Sequence, residues 1–516
     1  MSSTFHGLET ARRAMFTQQS ALYTTGHNVA NANTPGYSRQ RVNFTQTEPF
    51  PNAAMNRPGI PGQIGTGVKA AAIQRMRESF LDVQFRGESS KLGYWDTKAK
   101  ALEKMEEIMN EPSESGLSNT MDQFWQSLQD LAVNPTNEGA RSVVRQRGIA
   151  LAETFNYVSD SLTAIKNDFK NEINIAKDKI NSLLEQISSV NGQIADVEPH
   201  GYVPNDLYDK RDVLIDELSS MVNIKVNYVK SGGDPSDVAE GQAIVKLADD
   251  AGSDMAILVS QHGYSELKIG YNGPNGSVDE ISVGGKTFTY DQFQSHGELK
   301  GLIESFGYAD ANGAEAGIYS DMLASVDNLA YTFAKEFNTV HKDGMSPNEI
   351  ENGNQNIAFF GDSENGGVTI LEGFAKRMVV TKAIIDSVDN IANATPDADG
   401  NATLGDSTNI LALANIFEKG LNYEGPDQKS SFRSYYESII GDMAVNSQEA
   451  VRLAANTTVL KDSVDQKRMS VSSVSLDEEM TNMIKFQHGY NAAARMITLT
   501  DELLDKIING MGTGGR

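Results

Sequence analysis

The sequence predicts a mainly α-helical protein that carries a small inserted β domain. Apolar residues recur every three or four positions over long stretches, which is typical of helices with one buried face. Both ends of the chain keep a seven-residue apolar spacing, the pattern of coiled-coil helices. Residues 224–300 instead hold short β-type runs between Gly and Asp turns. We therefore expect paired terminal coiled-coil helices, an elongated body made of a long-helix bundle, and a β domain at the outside.

The first element is a helix that we expect to begin at Thr4 and to end near Asn31. Its apolar stripe repeats every seven residues, at Leu8, Met15, Leu22 and Val29. It ends because Pro35 disfavours helical geometry at the preceding residue, and Pro35-Gly36 suits the centre of a type II turn. The turn and the extended segment after it supply the candidate residues Asn31, Asn33, Pro35, Gly36, Tyr37, Arg39 and Gln40. Residues 49–67 are rich in Pro and Gly, which predicts a hinge or an extended loop.

The body is predicted to contain one very long helix over residues 138–198, where apolar residues step alternately by four and three. At 1.5 Å per residue such a helix is about 90 Å long, which is why we expect an elongated body. Shorter helical patterns cover residues 91–110, 117–132, 206–222, 319–341 and 432–469. Residues 344–430 keep no helical period and are predicted to be a long irregular excursion.

Four runs rich in β-branched and aromatic residues predict strands in the inserted domain. They cover residues 224–229, 243–247, 255–259 and 286–290. The chain is accordingly divided into three predicted domains. These are a terminal coiled-coil assembly domain (1–64 and 470–516), a long-helix bundle body (65–223 and 301–469) and the inserted β domain (224–300).

The last element is a helix that Ser475 and Glu478 are expected to start as a capping box. Its apolar seam comprises Leu476, Met480, Met483, Tyr490, Ala494, Ile497, Leu504, Ile508 and Met511. Two interpretations of the terminal helices follow: they pair with each other and close an ordinary monomeric core, or they pack against other copies of the chain. Periodicity alone does not decide, but the strict seam and the Pro/Gly loop favour assembly, because tethered helices would otherwise expose apolar surface.

Composition excludes several classes of function. The 516 residues carry a net charge of −25, which argues against nucleic acid as the main partner and against docking on an anionic membrane. The acid is unevenly distributed, since residues 1–77 hold eight basic residues and only two acidic ones. Cysteine is absent, which removes disulfides, thiol catalysis and thiolate metal sites. Neither a secretory signal nor an apolar run long enough to span a membrane is found in the sequence.

The search for catalytic or metal-binding residues selects none. The seven histidines are scattered, and no two share the short spacing that would present both to one metal. Asp397, Asp399 and Asn401 imitate the start of a calcium loop, but Ala402 and Thr408 stand where Gly and a bidentate Glu are needed. We therefore predict no enzyme activity, no cofactor and no metal site.

Two terminal motifs resemble those of bacterial flagellar rod, hook and hook-associated proteins. They are HNVANANTPGYSRQ at residues 27–40 and SVSSVSLDEE at residues 470–479. Within that superfamily, PNDLYDKRD at residues 204–212 and GDSTN at residues 405–409 resemble the hook-associated protein 1 family. The resemblance implies a structural subunit of the flagellum at the junction between hook and filament.

The resemblance also implies partners and a location. The terminal helices would pair and pack beside copies of the chain, with hook protein on one side and the second junction protein and filament on the other. The chain would be exported without a cleaved signal peptide, with an export chaperone on its C-terminal region, and would end outside the cell in the flagellum. Independently of the resemblance, the paired heptad stripes and the Pro/Gly loop predict that residues 1–60 and 470–516 are largely unstructured or labile in the free monomer and become ordered on incorporation. Another axial protein, of the hook or distal rod, and a cytosolic coiled-coil scaffold remain alternatives.

Overall fold

The structure of the chain is a computed structural model, and it describes residues 5–51, 55, 59, 62–109, 116–272, 276–353, 356–397, 399–423 and 429–510. The helices of this part are α1 (His6–Ala30), α2 (Ser79–Met109), α3 (Leu117–Val133), α4 (Glu138–Val197), α5 (Asn205–Met221), α6 (Glu298–Phe306), α7 (Ile318–Asp343), α8 (Pro347–Asn352), α9 (Phe374–Arg377), α10 (Lys382–Asp386), α11 (Thr408–Asn415), α12 (Phe432–Ser472) and α13 (Leu476–Gly510). Short 3₁₀ turns lie at Glu198–His200 and Val388–Asn390.

The strands of the described residues are short. They are β1 (Gln40–Gln46), β2 (Val68–Arg75), β3 (Ile224–Val229), β4 (Gln242–Ala248), β5 (Asp254–Ser260), β6 (Gly263–Tyr264), β7 (Leu267–Tyr271), β8 (Val278–Val283), β9 (Lys286–Phe288), β10 (Tyr308–Ala309), β11 (Glu315–Ala316), β12 (Phe360–Asp362), β13 (Met378–Val380), β14 (Leu421–Asn422) and β15 (Lys429–Ser430). The predicted fold class, helices with a small β region, is confirmed.

Most predicted elements lie close to their observed bounds. The long helix is α4, and the four predicted strands fall on β3, β4, β5 and β9. Helix α2 begins twelve residues before the predicted 91–110 segment, at Ser79. Residues 344–430 are more regular than predicted, because the described part of this stretch holds four short helices and two small antiparallel strand pairs. Elements of two to eight residues are too short to produce a recognisable period in the sequence.

The chain forms two compact units, residues 1–90, 179–267 and 458–516 in the first and residues 91–178 and 268–457 in the second. This division differs from the three predicted domains. The reason lies in strand pairing: β3 to β6 form one antiparallel sheet in chain order, whereas β7 and β8 join β10 and β11 in another, with β9 beside β8. A series of short β-type runs in a sequence does not reveal which of the runs pair in one sheet.

In the first unit, α1 and α13 form an antiparallel pair. A Cβ placed on Gly7 would lie 4.0 Å from Thr500 Oγ1, and one placed on Gly489 would lie only 2.9 Å from Gln18 Cδ. Glycine at 489 therefore lets the two helices approach closely. The antiparallel hairpin of β1 and β2 packs on another side of α1, where the Thr17 hydroxyl lies 3.2 Å from the carbonyl oxygen of Val68.

In the second unit, an aromatic cluster forms the core. Five phenylalanines with no exposed surface lie with ring centroids 4.8–6.0 Å apart, namely Phe124, Phe333, Phe337, Phe359 and Phe360. Gly148 of α4 faces this cluster, since a Cβ there would lie 2.7 Å from Phe359 Cε1. Burial of large rings at such separations is a main source of stability in a domain core.

Candidate assembly interface

The predicted turn follows α1 directly and is held against α5. The Tyr37 N–H donates to the Thr34 carbonyl at 3.2 Å, and Gly36 has a φ of 77°, the left-handed value that the third position of a type II turn requires. A Cβ on Gly36 would lie 2.1 Å from Val213 Cγ2 of α5. Glycine is thus needed here for the backbone conformation and for the close approach to α5.

Asparagines at the start of the turn have different surroundings. Asn31 closes α1, because its Nδ2 donates to the His27 carbonyl at 3.1 Å and its Oδ1 accepts from the Thr34 hydroxyl at 3.2 Å. Asn33 and Pro35 are exposed. Asn28, which the sequence analysis did not single out, is the buried one, with 1% of its surface exposed.

Asn28 connects the helix, the turn and the other end of the chain. Its Oδ1 accepts from the Gln40 N–H at 2.9 Å and from the Tyr37 hydroxyl at 2.8 Å. Its Nδ2 donates to the Gln40 carbonyl at 2.8 Å and to Glu479 Oε2 at 3.0 Å. Arg39 adds a second link to the C-terminal helix, because its Nε donates to Glu479 Oε1 at 2.8 Å. Glu479 thus has a role that its position in a first helical turn did not reveal.

The segment after the turn is fixed to α5. Gln40 Nε2 donates to Asp206 Oδ1 at 3.0 Å, and Gln40 Oε1 accepts from Asn205 Nδ2 at 3.3 Å. The Ser38 N–H donates to Asp209 Oδ2 at 3.1 Å. Asp206 and Asp209 belong to the motif at residues 204–212, so two motifs that the sequence presents separately meet in the structure.

Below this layer lies a buried cluster of arginines and carboxylates, with Asp212 at its centre. Its oxygens lie 3.0 Å from Arg75 Nη2, 2.9 Å from Arg77 Nη1, 3.6 Å from Arg86 Nη2 and 3.8 Å from Arg211 Nε. Burial alone would raise the pKa of Asp212, but the surrounding guanidinium groups, Arg75 foremost, hold it well below its usual value. We call Asp212 and these four arginines the arginine hub.

Ion pairs within the chain involve most of the basic residues at the head of the chain. Arg39 pairs with the C-terminal helix, Arg75 and Arg77 belong to the hub, and Arg12 and Arg13 both contact Glu9. Acids from later in the chain therefore offset part of the excess of basic residues before position 78. Sequence reasoning missed the hub because Arg75, Arg77 and Arg86 lie 126 to 137 positions before Asp212 in the chain.

Tyr37 and His27 lie beside a cavity of about 460 Å³ that Pro35, Val213 and Asp206 also line. The His27 Nδ1 lies 2.9 Å from the Tyr37 oxygen. Burial, then the charges of nearby carboxylates, raise the pKa of Tyr37 far above its usual value. The hydroxyl therefore stays protonated and serves as a hydrogen-bond donor rather than a nucleophile. In the described ranges, no group of three or more His, Asp or Glu side chains is arranged to hold a metal ion.

The predicted stripe of α1 lies at the edge of the buried face. Leu8, Met15, Leu22 and Val29 are half-buried, whereas the fully buried positions of α1 are small or polar, such as Ala11, Thr17 and Ala21. Phe5, Phe16 and Tyr23 are exposed at 58%, 54% and 70%, and the last two are one heptad apart. Because the predicted stripe lies at the edge of the buried face, the exposed face of α1 carries the aromatic residues Phe16 and Tyr23.

The predicted seam of α13 divides into two groups. Met483, Tyr490, Ala494, Ile497 and Leu504 are half-buried, and Ile497 and Leu504 lie one helical turn on either side of Thr500, which faces Gly7 of α1. Leu476, Met480 and Ile508 are exposed, and Met511 lies outside the described residues. A set of apolar residues that the seam did not include is also exposed, comprising Ile484, Met496, Leu499, Leu503 and Ile507.

Leu499, Leu503 and Ile507 follow one another at a spacing of four and so form an outward stripe on α13. We call them the outer stripe. The terminal helices therefore do pair with each other, as the first interpretation held, and they still expose apolar rows. Contiguous exposed apolar surface is typical of interaction sites, which makes the outer stripe a candidate assembly surface.

Comparisons with known proteins agree with these motifs. The family model described as flagellar hook-associated protein FlgK helical domain matches residues 102–360. A flagella basal body rod protein model matches residues 8–37, and a flagellar basal body rod FlgEFG protein C-terminal model matches residues 465–510. Flagellar hook-associated protein 1 of Bacillus subtilis (strain 168) is 48% identical over 518 residues, which cover 100% of both chains.

The chain belongs to the flagellar hook-associated protein 1 family. More distant members are similar along nearly the whole length: the Escherichia coli (strain K12) protein is 23% identical and covers 95% of this chain and 97% of its own, and that of Salmonella typhimurium is 24% identical with the same coverage. The structure of the flagellar hook junction protein FlgK from Burkholderia pseudomallei aligns with a TM-score of 0.57 at 13% identity. It covers 77% of this chain and 100% of that chain, and it supports the fold. The resemblance noted in the sequence is confirmed.

Proposed function

We propose that this chain is the structural subunit that forms the junction between the hook and the filament of the bacterial flagellum. The observation that carries the proposal is the 48% identity over the full length to a hook-associated protein 1. The match of the FlgK helical-domain model to residues 102–360 supports this assignment over a hook or distal rod protein. The match of both chain ends to rod-protein models supports a flagellar axial protein over a cytosolic scaffold.

Assembly would use the surfaces that the terminal helices leave exposed. The outer stripe of α13 and the aromatic residues Phe16 and Tyr23 of α1 offer apolar surface to copies of the chain. Each Å² of such surface removed from water contributes about 25 cal/mol, so helix packing alone can drive assembly without catalysis. The predicted assembly residues on the edge of the α1–α13 contact, such as Met15 and Tyr490, would hold the pair in shape.

The proposal includes location and partners. The chain would be exported without a cleaved signal and would act outside the cell, contacting hook protein on one side and the second junction protein and filament on the other. An export chaperone would cover the C-terminal region beforehand, which suits the exposed outer stripe. None of the helices in the described part of the chain combines the length and apolar character needed to cross a membrane.

The test is removal of the gene from a motile strain. Electron microscopy of the deletion strain should show hooks of normal length without attached filaments, with monomeric flagellin in the medium. Expression of the intact chain should restore filaments. Filaments attached normally in the deletion strain would contradict the junction role, and loss of the hooks themselves would favour the hook or rod alternative.

A further inference from the structure

One buried carboxylate is shared by the two ends of the chain. The Glu479 side chain is 3% exposed, and its two oxygens accept from Arg39 Nε at 2.8 Å and from Asn28 Nδ2 at 3.0 Å. Its neighbour Glu478 is 61% exposed and accepts from Arg39 Nη1 at 2.7 Å. Two adjacent carboxylates therefore contact the same arginine, but only one of them is buried.

Asn28 has no spare hydrogen-bonding capacity. A carboxamide offers two N–H donors and an oxygen with two lone pairs, and Asn28 uses all four, with Glu479, Tyr37 and both backbone groups of Gln40 as partners. Because Asn28 is buried, the departure of Glu479 would leave an N–H without a partner away from water. Opening of the turn would likewise remove both hydrogen-bond partners of Glu479. A buried carboxylate without a partner costs more free energy than a buried neutral group without one.

Backbone hydrogen bonds of Arg39 also connect the segment after the turn with the C-terminal part of the chain. The Arg39 N–H donates to the carbonyl of Ser472, at the end of α12, at 2.8 Å, and the Arg39 carbonyl accepts from the Met76 N–H at 2.8 Å. The residue that binds Glu479 is thus fixed to the segment that leads into α13. Displacement of α13 would act on side-chain and main-chain bonds of Arg39 together.

We propose that Glu479 makes the docking of α13 and the ordering of residues 28–40 a single step, so that neither segment is ordered without the other. Coupling of this kind is reciprocal, because docked α13 favours the ordered turn by the same factor by which the ordered turn favours docking of α13. The inference concerns one chain in solution and does not depend on the proposed junction role.

The test is hydrogen exchange of the full monomeric chain, measured by mass spectrometry across a urea series. In the intact chain, peptides covering residues 28–40 and 476–490 should lose protection at the same urea concentration. Glu479→Gln should shift both peptides to lower urea, with the opening constant raised about tenfold or more. Glu478→Gln, which alters the exposed carboxylate on the same arginine, is the matched control and should shift neither peptide.

A second variant tests the same coupling from the N-terminal end of the chain. Asn28→Ala, at the opposite end, should raise exchange within residues 476–490, while protection of α7 in the second unit shows that each variant is folded. If both peptides are unprotected without urea, a trimethylamine N-oxide series, which favours compact states, should protect them together. One peptide protected while the other exchanges freely, or a Glu479→Gln effect confined to α13, would overturn the proposal.

Discussion

Asn191 of α4 bonds both backbone polar groups of Ala243 in β4: its Nδ2 donates to the carbonyl at 2.7 Å, and its Oδ1 accepts from the N–H at 3.0 Å. Strand β5 pairs with β4 only from Val245 onwards, so the asparagine takes the place of a missing strand partner. The pairs Asn28–Gln40, Asn181–Leu267 and Asn338–Phe360 repeat the arrangement. Helical asparagines thus satisfy main-chain groups that would otherwise be buried without partners.

Asn191→Asp should destabilise the first unit, because a carboxylate cannot donate to the Ala243 carbonyl. We expect a loss of about 1–3 kcal/mol in the free energy of opening, the cost of a buried acceptor left without a partner. Hydrogen exchange of residues 242–248 measures it. Gln193→Ala alters an exposed side chain two positions along α4 and should leave this exchange unchanged. An equal effect of both substitutions would show that helix content, not the paired bonds, is responsible.

The outer stripe and the inner seam of α13 should respond differently to charge. Leu499→Asp with Leu503→Asp alters only exposed positions, so the monomer should keep the protection of α13 while filaments fail to attach to hooks. Ile497→Asp with Leu504→Asp alters half-buried positions on the side facing α1, so it should open the helix pair even in the monomer. Hydrogen exchange and electron microscopy separate the two effects. Normal filament attachment in the first variant would remove the outer stripe from the assembly surface.

The features that could be predicted from the sequence are those that depend on residues close together along the chain. Period and turn chemistry predicted α1, α4, α13 and the type II conformation at Gly36, because each depends on neighbours a few positions away. The helix dipole accounts for an acid in the first turn of a helix without any partner, so the position of Glu479 in the sequence does not indicate that it has one. Only the fold shows that this acid lies against Asn28, 451 positions away.

The arginine hub could not be predicted from the sequence for the same reason. Asp212 was visible only as one letter of a family motif, and nothing in its surroundings along the chain distinguished it from exposed acids. Four guanidinium groups from β2, α2, α5 and the segment after β2 meet it only when the first unit is folded. Likewise, the heptad of α1 gave the correct helix but not its orientation, because the closely packed face uses alanine and threonine rather than large apolar residues.

Removal of the hub carboxylate should be among the most damaging single changes in the first unit. Asp212→Asn leaves Arg75, Arg77 and Arg211 without their shared anion, and breaking a buried ion network in this way costs about 3–5 kcal/mol. Because the pKa of Asp212 is lowered, its stabilisation is present above the unfolded value near 3.8 and is lost only as the pH falls towards the folded value. Hydrogen exchange of α5 at pH 7 tests the substitution. Asp234→Asn, at an exposed loop position, is the control, and an equally small effect of both would contradict the central role of Asp212.

The second unit holds two buried groups whose titrations oppose each other. Burial lowers the pKa of His341 to about 4, so the neutral imidazole stabilises the fold above the unfolded value of 6.5 and this contribution is lost as the pH falls towards 4. Burial also raises the pKa of Asp327 to about 6, although its carboxylate accepts hydrogen bonds from the backbone N–H groups of Ala375 and Gly373, which lower the pKa. The folded state therefore binds this proton more tightly, and stability rises as the pH falls from about 6 to the unfolded value of 3.8.

The two pKa shifts are of similar size, about 3 kcal/mol each at 1.36 kcal/mol per pKa unit, so their contributions to the stability of the second unit should largely cancel between pH 6.5 and pH 4. In each variant the remaining group should determine how stability changes with pH. The His341→Gln variant should become more stable as the pH falls, and the Asp327→Asn variant should become less stable. Both tryptophans, Trp95 and Trp125, lie in the second unit, so their fluorescence in urea reports its unfolding selectively. His262→Gln, at an exposed position in the first unit, is the control for loss of a histidine and should leave the pH profile of the intact chain unchanged. A profile that stays flat in both buried-site variants would show that neither group governs the acid response, whereas slopes of opposite sign would establish that His341 and Asp327 balance each other.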